Sequence, residues 1–194
     1  PADAKGLSDL LDRAVAANPV SPVLRLAVVD HWARLGDQDA ALTAARAAAA
    51  ALPNDLGIQE RLAVAQLAAG DRHQGLATLR KVASAQPGSA DVQLRLAAAL
   101  AAAGETAQAD ERVQAAMRAE PDLAAVQLAS VAMALRQGQP AKALAAARAM
   151  QARLPAQAVG FSAAGDVEAS QGHWEAAAAA YAQALIRTGA HNAA

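Results

Sequence analysis

Residues 53–87 read PNDLGIQERLAVAQLAAGDRHQGLATLRKVASAQP. A proline opens the stretch, Gly70 divides it and Pro87 closes it, with 16 residues on each side of the glycine. Both inner runs are rich in Ala, Leu, Val, Gln and Arg, and each is long enough for three to four helical turns. Glycine supplies the left-handed conformation that ends a first helix. Proline lacks an N–H and pushes the residue before it out of the helical region, so it ends a second. The same marks recur along the chain, at Pro19, Pro53, Pro87, Pro121 and Pro155, and at Gly36, Gly70, Gly104, Gly138 and Gly172. Each series has a period of 34 residues, and the two hold a constant offset of 17. Two independent punctuation series with one period signal a stacked repeat.

The unit is helix A, a short turn, helix B and another turn. Polar residues follow the breaks, in Gly36-Asp37, Gly70-Asp71, Pro53-Asn54-Asp55 and Pro121-Asp122, where they fit helix N-caps or first-turn acids. The spacing predicts one helix over 5–18, then five pairs: 23–35 with 38–51, 56–69 with 72–85, 90–103 with 106–119, 124–137 with 140–153, and 158–171 with 174–187. In repeat terms these are a half repeat over 5–18 and full repeats over 22–55, 56–89, 90–123, 124–157 and 158–189, forming one array over 1–189. Residues 190–194 read as a frayed tail. The fold class is all-α, an α-solenoid of about five hairpins plus the half repeat.

Composition agrees. The chain has 194 residues, 55% hydrophobic but only 2% aromatic, and roughly a third are alanine, which favours helix over strand. Lys+Arg 17 against Asp+Glu 18 gives a net charge of -1, without the basic stripe of a nucleic-acid binder. The chain has no cysteine, which removes disulfides, thiolate metal sites and cysteine nucleophiles. No 18-residue apolar run is free of charge, so membrane insertion is not expected. The first helix carries the helix B positions of a repeat whose helix A is missing, so upstream repeats are expected in the parent protein. Helix 174–187, with its run of alanines, lacks a polar capping face, and end-to-end self-association is expected.

The pattern resembles the tetratricopeptide repeat. With each proline at position 32 of the unit, the small residues of that family's pattern fall at Val29, Ala63, Ala97, Val131 and Gly165, at Ala41, Gly75, Ala109, Ala143 and Ala177, and at Ala48, Val82, Ala116, Met150 and Ala184. The large positions depart from it. The family's frequent Trp at position 4 is Arg25, Gln59, Gln93, Gln127 and Phe161, and its frequent Tyr at position 11 is Trp32, Gln66, Leu100, Ala134 and Glu168.

Catalytic constellations are not evident. His31, His73, His173 and His191 share no helical metal-site spacing, and no cofactor is implied. Asp110-Glu111 reads as a solvated acidic first turn. Trp32, Phe161, Trp174 and Tyr181 read as core anchors.

The resemblance implies a concave surface lined by A helices. Carried over residue by residue, a protein-binding groove would include Leu26, Asp30, Arg34, Glu60, Val64, Leu67, Leu94, Ala98, Leu128, Leu135, Arg136 and Asp166. Its centre is apolar and its charges lie toward the ends. The Lys/Asn/Arg set that clamps a terminal carboxylate in chaperone-binding relatives is absent, so a helix or extended apolar segment fits better. Packing of some of these leucines in the A-helix core is the alternative.

Val159–Leu185 reads VGFSAAGDVEASQGHWEAAAAAYAQAL. It resembles the final repeats of bacterial tetratricopeptide-repeat lipoproteins of the PEP-CTERM/exosortase system, associated with exopolysaccharide production. The matching residues are Gly160-Phe161, Gly165-Asp166-Val167, Gln171-Gly172, Trp174-Glu175-Ala176 and Tyr181. That resemblance implies a periplasmic chain attached to the envelope through a lipidated cysteine upstream of this sequence. The expected function is a non-enzymatic scaffold with a protein or peptide partner and no nucleic-acid partner. The alternatives are a cytosolic scaffold or co-chaperone, or a module appended to an enzyme such as a glycosyltransferase. Direct saccharide binding is disfavoured by the shortage of aromatics.

Overall fold

The computed structural model describes residues 2–191 and contains, among them, eleven helices and no strand. These are α1 (Ala2–Ala17), α2 (Pro22–Arg34), α3 (Gln38–Ala51), α4 (Leu56–Ala68), α5 (Arg72–Ala85), α6 (Ala90–Ala102), α7 (Thr106–Ala119), α8 (Ala124–Arg136), α9 (Pro140–Arg153), α10 (Val159–Ser170) and α11 (Trp174–His191). The last helix runs past the expected end at 187, so residues 190 and 191 are helical rather than a tail; the remaining tail residues, 192–194, lie outside the described residues. Gly189 stands where the other repeats have proline, so nothing there blocks the helix, and Thr188 Oγ1 donates back to the Ala184 carbonyl.

The breakers act as their chemistry dictates. Gly36, Gly70, Gly104, Gly138 and Gly172 all have positive φ, between 67° and 85°. After four of them the next residue's N–H reaches back to a helix A carbonyl: Asp37 to Trp32 at 3.1 Å, Asp71 to Gln66 at 2.8 Å, Gln139 to Ala134 at 2.9 Å and His173 to Glu168 at 3.0 Å. This closure satisfies carbonyls that the helix end would orphan. The Asp37, Asp55 and Asp71 carboxylates then cap α3, α4 and α5. Asp122 is not a cap. It pairs with Arg153, while Leu123 takes the N-cap position of α8 without a side-chain bond.

Proline carbonyls at the other turn find a repeating partner. Arg25 Nε donates to Pro19 O at 2.6 Å and Gln59 Nε2 to Pro53 O at 2.9 Å, and Gln127 Nε2 donates to Pro121 O. In the last repeat Phe161 occupies that position and cannot donate. Arg187 takes over, with its guanidinium carbon 3.5 Å from the Phe161 ring centroid and its Nε 2.8 Å from Pro155 O. The departure from the family's Trp at these positions is therefore a hydrogen-bond solution to a recurring orphan acceptor.

By contact the chain divides into two compact units, residues 1–86 with 99–104, and residues 87–98 with 105–194. In the first, Val29, Leu42, Ala45 and Ala65 form a core against which Ala44 and Leu62 pack. In the second, Ala90, Ala116 and Val126 form one cluster, Ala97, Val113 and Met133 a second, and Val131, Ala134, Ala143, Ala147, Ala163, Ala164 and Val167 a third. All fifteen small positions of the repeat are buried. Close approach explains why they stay small: a Cβ on Gly165 would lie 2.5 Å from Tyr181 Cε1, and one on Gly75 2.6 Å from Leu67 Cγ.

Candidate functional site: the A-helix faces

Burial of those small positions fixes which side of each A helix turns inward. The twelve groove residues expected from the repeat pattern divide evenly between the two units. None of them is buried.

In the first unit, α2 carries Leu26, Asp30 and Arg34, and α4 carries Glu60, Val64 and Leu67. Leu26, Val64 and Leu67 are half-buried, and Arg34 is exposed. Asp30 pairs with Arg61 Nε at 3.2 Å, a link between the two A helices that the sequence reading did not find. Beside Leu67, buried Gln66 bridges within the hairpin. Its Nε2 donates to Gln74 Oε1 at 3.2 Å, and its Oε1 accepts from Thr78 Oγ1 at 3.0 Å.

In the second unit, Leu94 and Ala98 lie on α6, Leu128, Leu135 and Arg136 on α8, and Asp166 on α10. Leu128 and Ala98 are exposed. Leu94 and Leu135 are half-buried and pack against core clusters, so these two divide between surface and core. Arg136 Nη2 lies 2.8 Å from Asp110 Oδ1, and Gln137 Nε2 donates to Asp110 Oδ2 at 2.6 Å. Asp110, 8% exposed, is thus a buried acceptor and not part of a solvated first turn. It is the fifth residue of α7, one turn in from the start of the helix. Asp166 accepts from the Tyr181 hydroxyl at 2.7 Å. That bond, with some burial and the nearby negative charge, raises the Tyr181 pKa above its ordinary value.

Three of the expected groove charges, Asp30, Arg136 and Asp166, are therefore held by side chains of the fold. What each face offers a partner is mainly aliphatic surface bordered by anchored polar groups.

The expected core anchors divide. Trp32 and Phe161 are half-buried. Trp174, the first residue of α11, is 70% exposed, and Tyr181 is on the edge of exposure at 36%. Among the histidines, His31 is buried and its Nε2 lies 2.8 Å from Ser8 Oγ, tying α2 to α1. His173 pairs through Nδ1 with Glu168 at 2.8 Å. Among the described residues no three His, Asp or Glu side chains are grouped to hold a metal, and no helix is long and apolar enough to cross a membrane.

No curated protein matches the sequence. Solved structures match the fold. The type IV pilus biogenesis factor PilW is 17% identical, with 93% of this chain and 84% of that one covered at a TM-score of 0.76. A thermophilic TPR protein of Thermus thermophilus is 25% identical, with 86% and 91% covered at 0.69. MamA of Desulfovibrio magneticus RS-1 is 17% identical, with 87% and 96% covered at 0.67. Residues 66–132 match the model of the tetratricopeptide repeat family. That match covers less than half of the chain, and the unbroken series of 34-residue hairpins on either side of it gives the chain the fold of a tetratricopeptide-repeat array.

Proposed function

We propose that the chain is a non-enzymatic scaffold that seats a helix or extended apolar segment of a protein partner on its A-helix faces. One observation carries this reading: the small positions of every repeat are buried, while the aliphatic residues at Leu26, Val64, Leu67, Leu94, Leu128 and Leu135 all keep accessible surface. A helix that buried all its apolar residues would leave nothing for a partner; these do not. Leu128 is the cleanest handle, because at 38% exposure it can change without opening the core.

Site-specific photocrosslinking tests this. A benzophenone side chain is placed at Leu128 or Ala98, and at the exposed α9 positions Ala141 and Arg148 as controls, in bacterial extract. Adducts to one partner from α6 and α8 alone support the scaffold. Equal capture from α9, or adducts unaffected by Leu128→Glu in the same molecule, removes it.

We further propose that the parent protein works in the bacterial envelope, in a PEP-CTERM/exopolysaccharide system. The Gly160-Phe161, Gly165-Asp166-Val167 and Trp174-Glu175-Ala176 matches support this. Lipidation of an upstream cysteine, followed by radiolabelled palmitate incorporation into the full-length protein, is the expected result. An unlabelled protein in the soluble cytosolic fraction favours the cytosolic scaffold instead.

A further inference from the structure

A cleft of about 420 Å³ lies within the first unit, between α1, α2 and α3. It shares none of the twelve groove positions, although α2 supplies one of its walls. Asp12 and Val15 of α1, Arg25, Val28 and Trp32 of α2, and Ala40, Thr43, Ala44 and Ala47 of α3 line it.

The sequence shows why space is left there. The four lining positions on α3 hold Ala, Thr, Ala and Ala. One repeat later the corresponding residues are Gln74, Ala77, Thr78 and Lys81, and a further repeat on they are Gln108, Glu111, Arg112 and Ala115. Of these three helices, α3 alone has no long side chain at those positions to fill the space. Trp32 is half-buried, and its ring meets His31 edge-on at 5.3 Å between centroids. His31 is in turn held by Ser8, so the indole is fixed from behind.

The polar groups on the rim are not equivalent. Arg25 is committed to the backbone, donating through Nε to Pro19 O at 2.6 Å and through Nη1 to Ala47 O at 3.3 Å. The Asp12 carboxylate is exposed and accepts no hydrogen bond from the described residues. Arg25 keeps its positive charge but turns Nε and Nη1 to those carbonyls, so the group open to an incoming cation is the Asp12 carboxylate. An apolar slot with an indole wall beside it complements an aliphatic stem ending in a cation.

We propose that this cleft receives a lysine or arginine side chain of a partner polypeptide. The stem lies along Val15, Val28 and the α3 alanines, and the charged head reaches Asp12 beside Trp32. This is a second docking point, independent of the A-helix faces.

Trp174→Phe leaves Trp32 as the only indole, so its Nε1–H gives a single resolved NMR cross-peak. Three probes are titrated: capped lysine, capped norleucine with the same stem and no charge, and capped glutamate. Saturable shifts of the Trp32 peak by lysine are expected, at least about 5-fold stronger than with norleucine, and Asp12→Asn should bring the two probes level. Equal binding of norleucine and lysine to the parent protein, preference for glutamate, or no shift of Trp32 with any probe overturns the proposal. Thr43→Met, which fills the slot on an exposed helix position, should abolish lysine binding while circular dichroism stays unchanged; retained binding by that variant counts equally against it.

Discussion

Arg136 was expected to face a ligand, yet the structure holds it against Asp110. The consequence can be measured. Replacing Arg136 with Ala leaves the Asp110 carboxylate, 8% exposed, with Gln137 as its remaining donor. Breaking a fully buried pair costs about 3–5 kcal/mol, and an exposed pair is worth about 0–1 kcal/mol. The Asp110 side chain is 12% exposed and that of Arg136 35%, so the cost falls between these limits, at about 1.5–2.5 kcal/mol. For a chain of this size that corresponds to a fall in Tm of about 3–10 °C. Asp110→Ala and the double variant complete a thermodynamic cycle, read by urea denaturation followed at 222 nm. A coupling of about 1 kcal/mol or more is expected, and it should persist in 1 M salt because burial limits screening. Additivity within about 0.3 kcal/mol, or a coupling that disappears in salt, would show that Arg136 is an ordinary surface cation and free for a ligand.

Further outcomes follow from other contacts. The chain has one tyrosine, so absorbance at 295 nm reports Tyr181 alone; its midpoint should lie above 10 and fall in Asp166→Asn. The sign is that of a protonated group favoured by folding: the bond's contribution is complete below the ordinary value of 10.0 and is lost as pH rises through the raised one. Gly160→Ala puts a Cβ 2.8 Å from the backbone nitrogen of Gln151 and should destabilise by about 1–2 kcal/mol despite the better helix propensity. Gly6→Ala, where nothing lies within 4 Å, should be neutral or stabilising by up to about 1 kcal/mol, and equal unfolding curves for the two variants would refute the contrast. On α11, Trp174, Leu185 and Ile186 are 70%, 71% and 63% exposed. Sedimentation should therefore show concentration-dependent association that Leu185→Lys with Ile186→Lys reduces, and a monomer at all concentrations would count against that surface being adhesive.

The helices were legible because their ends are set locally. A glycine at φ 75° and a proline without an N–H act within one turn, whatever packs on them. Capping by Asp37, Asp55 and Asp71 is equally local. Asp122 fails the same test because its partner, Arg153, comes from another helix. The partners of Asp110 and Asp30 are likewise 26 and 31 residues away, and no short-range signal marks either pair. The twelve positions carried over from the repeat pattern lie on A helices and none is buried, but the pattern does not decide how far Leu94 and Leu135 turn into the core. With alanine on every side of these helices, the contrast between apolar and polar faces that normally sets the phase is weak.

Size misled where contrast was missing. Trp174 looks like a core residue by its area, and at i, i+3 and i+7 it shares a face of α11 with Ala177 and Tyr181, yet it is 70% exposed while Ala177 and Ala184 are buried. In this protein small side chains fill the closest helix approaches, where a Cβ on Gly165 would strike Tyr181, while Ile58, Leu79, Leu100 and Met150 are fully buried elsewhere in the core. Other large apolar residues, among them Leu128, Trp174, Leu185 and Ile186, stay exposed. The large apolar residues therefore divide between core and surface, and those left at the surface are the aliphatic area that the proposed scaffold would offer a partner.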